Sequence, residues 1–98
     1  MRYKAAAKCY RNIFDFYHHV SKKYKHTYSA ILMHQNIDEA IDGMYQIEQT
    51  LARLKPTIVR WQKQGYHMAH AGHWYYAYTI QDDTITIEDA CHEQNMHN

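Results

Sequence analysis

Apolar residues recur at two different periods along this chain, and the change of period divides it. From about Cys9, the residues Ile13, Tyr17, Val20 and Tyr24 return every three or four positions with Phe16 beside them, which is the spacing of one helix face. Lys22, Lys23 and Lys25 close that segment, where cations favour the negative end of a helix dipole. Thr27 is expected to cap a second helix, with Ile37, Ile41, Met44 and Leu51 on one stripe and Ile47 and Leu54 beside it. Gly43 inside that helix costs about 1 kcal/mol against Ala, so a close helix crossing is expected there. Pro56 ends the helix by forcing Lys55 toward extended geometry. A helical hairpin follows.

Residues 55–65 read as a connector with room for one helical turn, and after them the period becomes two. Three strands are expected over Tyr66–His70, His73–Ile80 and Thr84–Ala90, joined by turns at Ala71 and Gly72 and at Asp82 and Asp83. Residues 1–7 suit either a short first strand or the lead into the first helix. With no internal repeat and no linker, residues 1–98 make a single domain. The fold class is α+β, a helical hairpin packed on a small antiparallel sheet in the order (β)-α-α-β-β-β.

The turns convert this order into a surface. A two-residue turn at Asp82 and Asp83 pairs Ile80 with Ile85, Tyr78 with Ile87 and Tyr76 with Asp89. Tyr76, Tyr78, Ile80, Ile85 and Ile87 then share the core face. His73, Tyr75, Ala77, Thr79, Thr86, Glu88, Ala90 and His92 share the other, with His73 opposite His92. A like turn at Ala71 and Gly72 sets His70 opposite His73 and Met68 opposite Tyr75. Three imidazoles would then stand in one row, about 5 Å apart from strand to strand. The aromatic residues Tyr76, Tyr78, Phe16, Tyr17 and Tyr45 are expected in the core, and Trp74 against a helix. His18, His19, His26 and His34 read as solvated helix faces, as do Asp38, Glu39 and Asp42.

Charge adds one asymmetry to this picture. The net charge is +1, yet residues 1–27 carry seven Lys/Arg against Asp15, and residues 61–98 carry Lys63 against five acids. The basic first quarter suits phosphates or an acidic partner, or simply a solvated helix face. No apolar run approaches the roughly 20 residues that span a bilayer, and charge follows Met1 directly, so a cytoplasmic protein is expected. Cys9 and Cys91 are too few for a disulfide framework and suit a reducing compartment.

At Tyr76, Tyr78, Ile80, Asp82, Asp83, Ile85, Ile87 and His92 the chain resembles the RelE/ParE superfamily of toxin–antitoxin toxins. In these a Y-x-Y-x-I strand leads to an acidic turn, a β-branched strand and then a His or Arg. The resemblance extends over most of the chain: a helical hairpin, a Pro-containing connector and a terminal sheet. It implies a small cytoplasmic toxin neutralised by a cognate antitoxin. Many RelE-like members cut mRNA on the ribosome, whereas ParE-like members inhibit DNA gyrase without being nucleases. The nuclease branch usually carries arginines on its middle strands. Here no arginine follows Arg60, and Met68, Ala69 and Tyr75 stand where those arginines would be expected.

Cleavage of RNA by its own 2′-hydroxyl needs a base, an acid and positive charge for the transition state. Histidine can serve as base or acid near neutral pH. His92, His73 and His70 are the candidate proton-transfer groups, with Tyr75 assisting. Arg60, Lys63, Tyr66, His67 and His97 are candidates for RNA and phosphate, and Trp61 for stacking on a base. Three converging imidazoles would also suit zinc. The spacing of His67, His70 and His73 matches no standard zinc motif, however, so no metal or cofactor is expected. The sequence therefore points first to a ribosome-dependent mRNA endonuclease. The other readings are a gyrase-binding inhibitor acting through Lys22, Lys23 and Lys25, and an inactive antitoxin-binding relic.

Overall fold

A computed structural model describes residues 2–47 and 55–96. It is α+β, running β1 (Arg2–Ala5), α1 (Ala7–Lys23), α2 (Ala30–Tyr45), α3 (Val59–Gln64), β2 (His67–Ala71), β3 (Trp74–Gln81) and β4 (Thr84–His92), with a 3-10 turn at Glu93–Asn95. Leu51 and Leu54, expected on the second helix, lie outside the described residues. That helix starts from Ser29 rather than Thr27: the Ser29 hydroxyl accepts a hydrogen bond from the Leu32 N–H at 3.1 Å. Thr27 instead donates to the Tyr24 carbonyl and belongs to the turn that closes α1.

The sheet order is β1-β4-β3-β2. Strands β2, β3 and β4 form an antiparallel meander, but β1 lies parallel to β4, with Tyr3 opposite Ile85 and Ala5 opposite Ile87. The sheet is therefore mixed, which corrects the antiparallel expectation. A parallel pair needs a long crossover, and the intervening helices and hairpin supply it.

Both faces of the sheet are covered. On one, α1 and α2 bring Cys9, Ile13, Tyr17, Ile37, Ala40 and Met44 against Tyr76, Tyr78, Ile85 and Ile87, all buried, with Ile80 partly buried. Trp74 packs there too and donates from Nε1 to the Tyr17 hydroxyl at 3.0 Å. Gly43 marks a close approach to the sheet rather than a crossing of helices. A Cβ there would stand 3.2 Å from both Ala71 Cβ and the Tyr76 hydroxyl. Tyr45, expected in the core, is 43% exposed; it stacks at a tilt on Tyr3 and shares a hydrogen bond with the Tyr10 hydroxyl.

The second face was expected to be open. Instead α3 lies over it, and Ile58, Trp61, Met68, Ala77 and Cys91 form a second buried cluster with Tyr66 and Tyr75 packed on its margin. Trp61 is only 1% exposed and so is not a stacking platform for bases. The helix turn that reads as a mere connector in the sequence thus carries an anchor. Tryptophan offers a large apolar area to such a position and requires a partner for its N–H.

The turn at Asp82 and Asp83 sets the expected pairs Ile80 with Ile85 and Tyr78 with Ile87, and Asp82 takes φ 55° to make it. Past those pairs the register shifts. Ala77 pairs with Asp89, Tyr76 with Ala90, Tyr75 with Cys91 and Trp74 with His92, leaving Glu88 as a bulged residue. One extra residue reverses the facing of everything beyond it. Asp89 and Cys91 turn to the α3 side, and Ala90 and His92 to the α1 side.

Candidate functional site

The bulge and the first turn together dissolve the expected row of histidines. Ala71 pairs with Trp74, so the turn residues are Gly72 and His73 rather than Ala71 and Gly72. Gly72 takes φ 61° there, a conformation that glycine adopts without strain. His70 moves opposite Tyr75 and stacks on its ring, with centroids 4.3 Å apart and planes within 18°. That pair belongs to the α3 side of the sheet. His92, opposite Trp74, belongs to the α1 side. His70, His73 and His92 therefore do not converge. Among the described residues no group of three His, Cys, Asp or Glu side chains stands close enough to hold a metal ion.

Two of the three still meet. β1 stops opposite Ile87, and beyond it the edge of β4 opens into a cleft of about 970 Å³ between α1 and the tail. Phe16, Tyr17, Trp74 and His92 give it an aromatic wall, Asn12, Lys23 and Arg60 contribute polar groups, and His73 and Glu93 line it as well. His92 is 8% exposed and lies flat on Phe16, centroids 4.0 Å apart and planes within 13°, with Trp74 edge-on at 5.4 Å. Its Nδ1 accepts a hydrogen bond from the Gln94 N–H at 3.1 Å, so the neutral ring carries its proton on Nε2. Burial lowers its pKa below the usual histidine value; nearby Glu93 opposes that shift and His73 adds to it. His92 is thus a neutral donor close to pH 7.

His73 is arranged the other way. Its ring is 6.0 Å from that of His92, and its Nδ1 lies 2.8 Å from the Glu93 carboxylate. A carboxylate only accepts, so Nδ1 carries the proton and Nε2 keeps its lone pair in the neutral ring. The Glu93 backbone N–H donates to the His73 carbonyl at 2.8 Å and fixes the pair from the main chain as well. The bond from His73 holds the Glu93 carboxyl below the usual carboxylate range. A histidine oriented by an acid, with a free nitrogen, is the local geometry of a general base.

Beside the cleft sits Asp89, which the expected register pairs with Tyr76 without giving it a role. Its side chain is 6% exposed. It accepts from Asn12 Nδ2 at 2.8 Å, from Trp61 Nε1 at 2.9 Å and from the Ala90 N–H at 2.9 Å. Lys8 Nζ at 3.5 Å and Arg60 Nε at 3.9 Å balance its charge. Five donors on α1, α3 and β4 meet at one carboxylate. The signal in the sequence was the adjacent pair Glu88 and Asp89, which breaks the alternation of a strand. Glu93 has no comparable signal, because its role depends on where the tail turns.

The remaining candidates separate. Arg60 lines the cleft but leans on Asp89 and contacts the Cys91 sulfur at 3.6 Å. Lys63 is exposed on α3. Tyr66 is half-buried at the second cluster, where burial raises its pKa. His67 packs at a tilt on Tyr78, and Tyr75 is half-buried beneath His70. His97 lies outside the described residues. No family model matches the chain, and no curated protein matches it.

Proposed function

We propose that this chain is the toxin component of a type II toxin–antitoxin system, acting as a ribosome-dependent mRNA endonuclease. One observation carries the reading: His73 with its carboxylate partner, and the neutral donor His92, meet in a cleft walled by aromatic rings. The RelE/ParE pattern quoted above supplies the biological setting, and a strand at Arg2–Ala5 is in keeping with it. The cleavage would break the P–O5′ bond as the 2′-oxygen forms a bond to phosphorus. A base takes the 2′-hydroxyl proton, the bonding pair leaves on the 5′-oxygen, and water supplies that oxygen with a proton. A 2′,3′-cyclic phosphate and a 5′-hydroxyl result. Lys23 and Arg60 are the cations beside the path, in place of the missing strand arginines.

Controlled expression with mapping of mRNA 5′ ends tests this. New cuts inside translated codons, lost in His73→Ala and in His92→Ala, are the expected result. Growth arrest without cuts would move the target to gyrase, with toxicity mapping to Lys22, Lys23 and Lys25, which are exposed at the end of α1 and beyond it. An absence of arrest would leave an antitoxin-binding relic.

A further inference from the structure

The two histidines of the cleft offer opposite nitrogens, and the difference is imposed by the backbone and the tail. His92 Nδ1 is occupied by the Gln94 N–H, so its neutral ring presents only N–H. His73 Nδ1–H is occupied by Glu93, so its neutral ring presents only a lone pair. An isolated imidazole has no such preference fixed, and proton transfer needs the acceptor nitrogen to face the substrate. We propose that His73 is the base that takes the 2′-hydroxyl proton, that Glu93 is its positioning residue, and that His92 acts as a neutral Nε2–H donor to a phosphate oxygen. This rests on the endonuclease reading and divides the labour within it.

The surroundings fit the division. His73 is exposed, its side chain at 72%, so its free nitrogen is within reach of a polymer lying along the cleft. His92 is clamped between Phe16 and the strand, which suits a fixed dipole and not a group that must gain and lose charge. The charged side chains that line the cleft with the pair are Glu93 from the tail, Asp15 and Lys23 from α1 and Arg60 from α3, and α1 also brings His19. Of these, only Glu93 bonds to either ring. Removing it frees His73 to turn and to adopt the other tautomer.

Two measurements test this independently. Ring nitrogen NMR of the whole chain near pH 8 reads each tautomer without any activity. His73 should report a protonated Nδ1 and His92 a protonated Nε2. Glu93→Ala should shift His73 toward Nε2–H, and Glu93→Gln, whose amide oxygen still accepts, should restore it. A protonated Nε2 on His73 in the wild type, or no change in Glu93→Ala, overturns the positioning role. Cleavage is then followed by 5′-end mapping. His73→Ala should lose roughly a hundredfold or more, and Glu93→Ala about tenfold, with Glu93→Gln recovering much of it. His92→Gln, which keeps a donor, should retain more activity than His73→Gln. Cuts that persist in His73→Ala overturn the base assignment while the endonuclease reading stands. If the wild type makes no cuts, both fall, whatever the tautomers are.

Discussion

Asp89 shows how much one side chain can hold. Its oxygens join Asn12 of α1, Trp61 of α3 and the backbone of its own strand, and two half-exposed cations approach from outside. The neutral donors matter more than the cations, since exposed ion pairs contribute little. Trp61 is buried, so losing the carboxylate would strand its indole N–H, at a cost of about 2–3 kcal/mol. Asp89→Ala should therefore lower the unfolding midpoint by roughly 10 °C or more in a domain of this size. Asp89→Asn can still accept from one donor and should lose less. Both are read by thermal unfolding followed by circular dichroism. Lys8→Ala, which touches the same carboxylate from solvent, should barely move the midpoint.

At the scale of elements, the sequence was most legible where a single period ran unbroken. The helical hairpin, the acidic turn and the faces of Tyr76, Tyr78, Ile85 and Ile87 follow from spacing alone. What escaped were departures of one residue. A turn set at Gly72 and His73 instead of one position earlier moves His70 two places along β3 from its expected partner and takes His73 out of the strand, while the bulge at Glu88 reverses a facing that alternation would have preserved. The candidate site suffers most from this, because His70, His73 and His92 all lie beyond one or the other irregularity. Glu88 is held in the bulge by the Thr79 hydroxyl, which donates to its carboxylate at 2.9 Å. Deleting Glu88 would remove the extra residue and leave Asp89 opposite Ala77 and His92 opposite Trp74, each on its present side of the sheet. The expected outcome is a thermal transition as sharp as that of the wild type, and Glu88→Ala should keep the fold as well. A Glu88 deletion that unfolds in a broad, non-cooperative transition, as it would if the deletion reversed the facing of Asp89 and His92, would reject the bulge.

At the scale of the molecule, several groups are held in their neutral forms, and the direction of each shift fixes a pH dependence. Burial lowers the pKa of His92, so the folded state binds fewer protons there than the unfolded chain. Its contribution is fully present above about pH 6.5 and declines as the pH falls through the folded value. Glu93 adds a second loss in the carboxylate range, again as the pH falls. Cys9 acts in the opposite sense: burial and the charge of Asp89 push its thiol up to about 12. Its contribution is present below about pH 9 and declines above that, as the unfolded thiol ionises. Denaturant midpoints measured across pH should form a plateau with two falling limbs. His92→Gln should flatten the part of the acid limb that begins below about pH 6.5, and Cys9→Ala the alkaline one. An acid limb unchanged in His92→Gln would place the charge-sensitive group elsewhere.

The pairing of β1 with β4 also sets an order in time. Arg2–Ala5 find their partners at Thr84–Ile87, so the first strand has nothing to pair with until the last one is present. Contacts this distant in sequence are slow to close, whereas the helical hairpin can form from its own neighbours. The cleft takes part of its lining from α1 and part from His73, His92 and Glu93, all of which arrive with the final strands. A chain still leaving the ribosome therefore has helices long before it has a site. The cleft and its pair of histidines are the last things to be assembled.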